Sequence, residues 1–155
     1  AKEMLQEKFD SVDFESEKLS FTYTDYYNKE IGDNLIRRFI SFKELQDPGE
    51  LCSIKILTNE IEQKFLYENT KNRRINIDPG LLSLSKFILA TTKNYSHRIY
   101  IGDGIFAEVT LKYENKGFVA FDWTYPDYKT EEYRTILNRI REIYKEQIKT
   151  MMDKK

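Results

Sequence analysis

The sequence predicts an α+β fold, a largely antiparallel or mixed sheet with two long helices packed on a face. Three observations carry this. Two stretches keep apolar residues at helical spacing, Leu51 through Phe65 and Tyr133 through Ile148. Gly102-Asp103-Gly104 joins two apolar runs, residues 97–101 and 105–113, in the strongest hairpin signal of the chain. Nothing in the 155 residues marks a boundary, for no repeat and no Pro-rich, Ser-rich or single-charge block divides them. One α+β domain over residues 1–155 is expected.

The elements follow in order. Met4, Leu5 and Phe9 lie at helical spacing and predict an amphipathic helix over residues 2–9. From Lys18 to Tyr26, Leu19, Phe21 and Tyr23 alternate onto one face of a strand, and Leu35 to Phe42 forms a second aromatic and β-branched run. Asn28 to Asn34 between them reads as a polar loop. Asp47-Pro48-Gly49-Glu50 sets an N-cap before a proline at the first helical position. The helix that follows has the stripe Leu51, Ile54, Leu57, Ile61 and Phe65, with polar residues on its other face. Cys52, the lone cysteine, reads as a small buried hydrophobe in that run.

Arg73 to Asp78 alternates as a strand, with Ile75 and Ile77 on one side, and Pro79-Gly80 turns the chain. Residues 81–92 suit either a strand or a helix. Across Gly102-Asp103-Gly104, a three-residue loop pairs Ile101 with Ile105, Ile99 with Ala107 and His97 with Val109. The two-residue alternative sets Ile99 opposite Glu108 and fits less well. The favoured register puts Arg98 across from Glu108, on the face opposite Ile99, Ala107, Val109 and Leu111. A further strand is predicted at Gly117–Phe121. The last helix runs from a Thr130 cap to about Met151 on the stripe Tyr133, Ile136, Leu137, Ile140, Ile143, Tyr144 and Ile148.

Composition excludes several functional classes. Six Gly, three Pro and 14% aromatic residues describe neither a linker array nor a disordered chain. Twenty-five basic against 26 acidic residues give a net charge of -1, so general nucleic-acid binding is not expected. The dense basic spots, Arg37-Arg38 and Lys71-Asn72-Arg73-Arg74, read as solvated surface among acidic neighbours. The longest apolar stretch, Leu81 to Ala90, is half the roughly 20 residues of a membrane span. The first residues lack the apolar core of a signal peptide, and the single cysteine suits a reducing compartment, so a cytoplasmic protein is expected.

Common catalytic signatures are missing: no GxxxxGK[ST], GxGxxG, HExxH, CxxC, EF-hand loop or GxSxG occurs. One His and one Cys are too few for an N/S-ligated zinc site, so no metal centre is expected and no cofactor is named. What remains is a polar density from residue 76 to 98. Lys86, Lys93 and Arg98, with the hydroxyls of Thr91 and Thr92, suit an anion such as phosphate. Asn76 and Asp78 flank it, and Asp78 and Glu108 would act on a proton or a divalent ion. The competing reading has Asp78 capping the Pro-Gly turn and Arg98 simply pairing with Glu108. His97 is the natural proton carrier, or, on the face it shares with Ile99 and Ile101, part of the core. Trp123-Thr124-Tyr125-Pro126-Asp127-Tyr128 is either a plug over the core or a ligand lid with a stacking surface.

Five ordered stretches also resemble a known family. They are Tyr23-Thr24-Asp25-Tyr26-Tyr27, Asn76-Ile77-Asp78-Pro79-Gly80, the run Leu89 to Tyr100, Gly104 to Leu111, and Trp123 to Tyr128. Together they resemble the prokaryotic family called domain of unknown function 4416, over nearly the whole chain. The resemblance implies a small cytoplasmic protein without an assigned activity, and an apolar strand before the first helix that this sequence does not show. A GTP-binding label does not fit, because Asn28-Lys29-Glu30-Ile31 lacks the final Asp of the guanine motif and no phosphate loop is present. The family's motif residues fall on the polar density, which favours a ligand site around Asp78, Lys93, His97, Arg98 and Glu108. Two functions follow from these residues. One is a binder, or an enzyme, for a small anionic or phosphorylated ligand held by Asn76, Asp78, Lys86, Thr92, Lys93, His97, Arg98, Glu108 and Trp123. The other is a structural or adaptor protein acting through a protein surface, self-association included.

Overall fold

A computed structural model describes residues 1–23, 28–32 and 34–154. It has α+β architecture, and every strand pair among the described residues is antiparallel. No helix among them is long and apolar enough to cross a membrane. The chain divides into two compact units, Ala1–Pro79 and Gly80–Lys155.

In the first unit, helix α1 spans Lys2–Phe9 as its spacing predicts and ends where Asp10 takes a positive φ of 69°. The strand β1, Val12–Glu15, was not foreseen. It pairs with β4, Ile40–Phe42, while the short β2, Leu19–Ser20, pairs with β3, Ile36–Arg37. The run 35–42 is thus two strands. The strand expected over 18–26 is two residues long as far as it is described, and residues 24–26 lie outside the described residues. The loop expected at 28–34 holds a short helix, α2, Asn28–Ile31; Asp33 lies outside the described residues.

Asp47 caps as expected, its side chain accepting from Gly49 N at 2.7 Å, and a 3-10 turn at Pro48–Glu50 leads into α3, Leu51–Gln63. Ile61 joins Leu5 and Phe9 in a buried cluster lined by Met4, Phe42, Ile54, Leu57, Phe65 and Ile77. Burying such side chains is worth about 1.5–3 kcal/mol each. Cys52 is half-buried, not fully.

The other face of α3 departs from a solvated stripe. Lys55, Thr58 and Glu62, spaced as one helical row, are all buried. The reason lies in residues 74–78, which form no strand. Ile77 N donates to Glu62 Oε1 at 2.6 Å, and Ile77 O accepts from Lys55 Nζ at 3.1 Å. Side chains of α3 thus satisfy backbone groups that a neighbouring strand would have satisfied. Arg73 is no free surface cation either. It donates to Glu30 through Nε at 2.7 Å and Nη2 at 3.0 Å, and to Glu62 through Nη1 at 2.7 Å. Arg37 stands over the Phe21 ring at 4.2 Å, and Arg38 pairs with Glu15.

The second unit is a five-stranded sheet with one long helix. Residues 81–92 resolve as a hairpin, β5, Gly80–Leu82, and β6, Lys86–Thr91. Next come β7, Ile99–Gly102, β8, Ile105–Glu114, and β9, Gly117–Ala120. The β7–β8 turn corrects the expected register in an instructive way. Asp103 and Gly104, at φ 47° and 76°, make a two-residue turn with Gly102 opposite Ile105, and a bulge at Ile101 then restores Ile99 opposite Ala107. The loop is the shorter alternative; the pairing beyond it is the one predicted.

A second irregularity inverts the expected burial. Phe87 faces Leu111 but Ile88 faces Val109, so Thr110 is an extra residue in β8. Leu89 faces Glu108, and Phe87 and Leu89 share a face, so Glu108 and Leu111 lie on the same side. Both are buried, whereas Ile99, expected inward, is 70% exposed.

Helix α4, Glu131–Asp153, starts where predicted, with Thr130 Oγ1 accepting from Tyr133 N at 3.3 Å. It packs on β9, and its Tyr133 and Leu137 are fully buried. Arg141 stands 3.5 Å over the Tyr113 ring and donates to Leu84 O.

Candidate functional site

The site begins with a gap in the sheet. β6 lies along one edge of β8 from Phe106 to Lys112. The other edge is shared: β7 covers residues 105–107 and β9 covers 111–114. Residues 108–110 between them have no strand partner on that edge, so their backbone groups need other partners. The stretch after β9 supplies them. Trp123 Nε1 donates to Val109 O at 2.9 Å, and Thr124 Oγ1 donates to Thr110 O at 2.6 Å. The aromatic hexapeptide is therefore divided in role. Thr124, Asp127 and Tyr128 are buried as a plug, while Trp123 and Tyr125 stay 39% and 53% exposed.

Glu108 sits at this gap, and its carboxylate is nearly inaccessible. Burying an unpaired carboxylate would cost several kcal/mol, and three donors prevent that. His97 Nε2 lies 2.6 Å and Arg98 Nε 3.1 Å from Oε1, while Thr110 Oγ1 donates to Oε2 at 3.2 Å. The Arg98 to Glu108 pairing predicted from the hairpin register is present. Arg98 also donates to Lys93 O at 2.9 Å and Tyr125 Oη at 3.3 Å. Burial works against its charge, but the hydrogen bonds to Tyr125 and Glu108 outweigh it and hold the guanidinium above its ordinary value.

Aromatic rings frame the cluster. Phe121 stacks on Trp123 at 4.5 Å, Trp123 on His97 at 5.2 Å and 15°, and Tyr95 tilts against His97 at 5.2 Å. Tyr95, Ile99, Tyr100 and Tyr125 are all more than half exposed. His97 itself is not in a strand but in the loop at residues 92–98, so the core position inferred from a shared face with Ile99 does not hold.

Of the residues expected at a site, His97, Arg98, Glu108 and Trp123 come together, with Lys93 joined through its carbonyl. Thr92 is exposed in the same loop. Lys86 stands apart, at the far end of β6 opposite Lys112. Asn76 and Asp78 belong to the first unit, where Asn76 accepts from Arg73 Nη1 at 3.1 Å and Asp78 lies 3.9 Å from Arg37. Gly80, which closes their motif, has a packing role: a Cβ there would sit 2.7 Å from the Phe87 ring and 2.8 Å from Ile88 O. Two contributors went unforeseen. Thr110, two residues along the strand from Glu108, shares its face as strand alternation allows. Tyr95 had a signal, lying two residues before His97. Among the described residues no group of three or more His, Cys, Asp or Glu is placed to hold a metal ion.

The family described as domain of unknown function (DUF4416) matches residues 1–144, and the chain belongs to it. No curated protein and no solved structure matches the chain.

Proposed function

We propose that this member of the DUF4416 family is a binding protein for a small anionic ligand, of the phosphorylated class, received over His97 and Arg98 with Trp123 and Tyr125 at the rim. One observation carries the reading: a buried ionic cluster is ringed by aromatic side chains that remain open to solvent. A fold needs neither the charge in the interior nor the exposed rings, and binding sites use both. Arg98 commits three of its five N–H groups to Glu108, Lys93 O and Tyr125, which leaves two for an anion. The open rings offer a stacking surface to a planar group on the ligand.

A thermal-shift screen of nucleotides, phosphorylated metabolites and inorganic phosphate tests this, with a Lys93→Ala/Arg98→Lys double variant beside the parent. A ligand at 100 times its Kd adds about 2.7 kcal/mol to stability. A shift in the parent that the folded double variant loses supports the reading, and a flat response across the panel overturns it. A second reading, an adaptor surface, draws on the same open Tyr95, Ile99, Tyr100 and Tyr125. It expects a bound protein and no ligand shift.

A further inference from the structure

His97 is the only histidine of the chain, and its ring is held from three directions. Glu108 meets Nε2, Trp123 covers one ring face, and Tyr95 tilts against the ring. Arg98 donates through Nε to the same carboxylate oxygen at 3.1 Å. An ionised carboxylate only accepts hydrogen bonds, so Nε2 carries the hydrogen. The neutral ring then bears its lone pair on Nδ1, at the opposite edge, where nothing among the described residues donates to it. The side chain retains 14% of its exposure.

We propose that Glu108 and His97 form a proton-accepting pair in which Nδ1 of His97 takes the proton of an acidic O–H on the bound anion, an acid phosphate being the simplest member of that class. This deepens the ligand-binding reading above and rests on it. The ligand's O–H bond breaks, its electron pair stays on the ligand oxygen, and the proton forms the Nδ1–H bond. Glu108 orients the ring and stabilises the imidazolium, as a carboxylate does behind any histidine base. The charges agree with this. Glu108 and Arg98 cancel before transfer; afterwards a cation on His97 faces an added negative charge on the ligand. The groups facing the imidazole among the described residues include Glu108 from β8 and Tyr95 from the loop before β7, with Arg98 on the same carboxylate and in turn on Tyr125 Oη and Lys93 O.

The chain provides its own reporters, one histidine stacked on one tryptophan. Imidazole ¹⁵N spectra are recorded near pH 7.5, roughly one unit above the ordinary histidine value, as inorganic phosphate is added. The result expected is an Nε2–H tautomer without phosphate, then a saturable move of Nδ1 toward its protonated position. Trp123 emission falls in step, because an imidazolium quenches a stacked indole. In Glu108→Gln the phosphate-dependent protonation weakens, because the amide carries no charge to stabilise the imidazolium. An Nδ1–H tautomer in the free protein overturns the proposal. Phosphate that shifts backbone amides of residues 92–98 and 123–125 without moving Nδ1 overturns it too, and leaves the binding reading standing. No response anywhere overturns both. The spectra of the unaltered protein decide among these results even where Glu108→Gln fails to fold.

Discussion

Replacing Glu62 with alanine removes the residue that ties α3 to Arg73 and Ile77. Its carboxylate is 2% exposed and holds two donors, Ile77 N at 2.6 Å and Arg73 Nη1 at 2.7 Å. Hydrogen bonds to a charged group contribute about 1.5–3 kcal/mol each. Arg73 keeps Glu30 and Asn76 in the variant, so that contact counts at the low end. Ile77 N loses its acceptor, which costs about 1–3 kcal/mol. The sum is about 3 kcal/mol, the lower limit for breaking a buried ion pair. In a chain of this size that lowers Tm by about 6–12 °C. Urea unfolding followed by far-UV circular dichroism measures it, with Glu60→Ala as the control, since Glu60 lies on the same helix but is exposed. Glu62→Gln keeps one acceptor oxygen and falls between the two. A loss for Glu62→Ala no larger than that for Glu60→Ala would refute the reasoning.

Three further outcomes are expected. Gly80→Ala places a methyl group against the Phe87 ring and Ile88 O, and urea titration reads a loss of about 1–3 kcal/mol. Thr130→Ala deletes the α4 cap and costs about 1 kcal/mol by the same assay, whereas Thr130→Ser recovers most of it. The Arg73 hydrogen bond holds the Glu30 carboxyl below its ordinary 4.5, so its contribution is present above that value and is lost as pH falls through the folded one. Tm accordingly drops on acidification below about pH 4.5, and Glu30→Gln flattens that part of the profile; an unchanged profile in the variant would count against the pairing.

Much of the secondary structure is legible because it depends on neighbours in sequence. Helical spacing marks α1, α3 and α4, and the caps are short-range: Asp47 accepts from Gly49 N in the turn before α3, and Thr130 accepts from Tyr133 N at the start of α4. Gly102-Asp103-Gly104 marks its hairpin, and the Arg98 to Glu108 contact lies one step beyond the last β7–β8 pair, Ile99 with Ala107. Burial is less legible. Glu62 and Lys55 look like a wet helix face until backbone groups of Ile77, which lies in no strand, need their side chains, and Ile99 looks like core until it falls on an open edge of the sheet.

For the candidate site, the sequence determined which residue types are available: one imidazole, one indole, and an arginine fixed by hairpin register opposite a carboxylate. Only tertiary structure decided what they do together. One extra residue at Thr110 turns Glu108 into the interior, and the shared edge of β8 leaves a gap that Trp123 and Thr124 close. The bulge costs the sheet one register step and the gap costs it a strand partner. Neither leaves a periodic trace, because each arises from how separate strands meet and not from the order of residues within one of them.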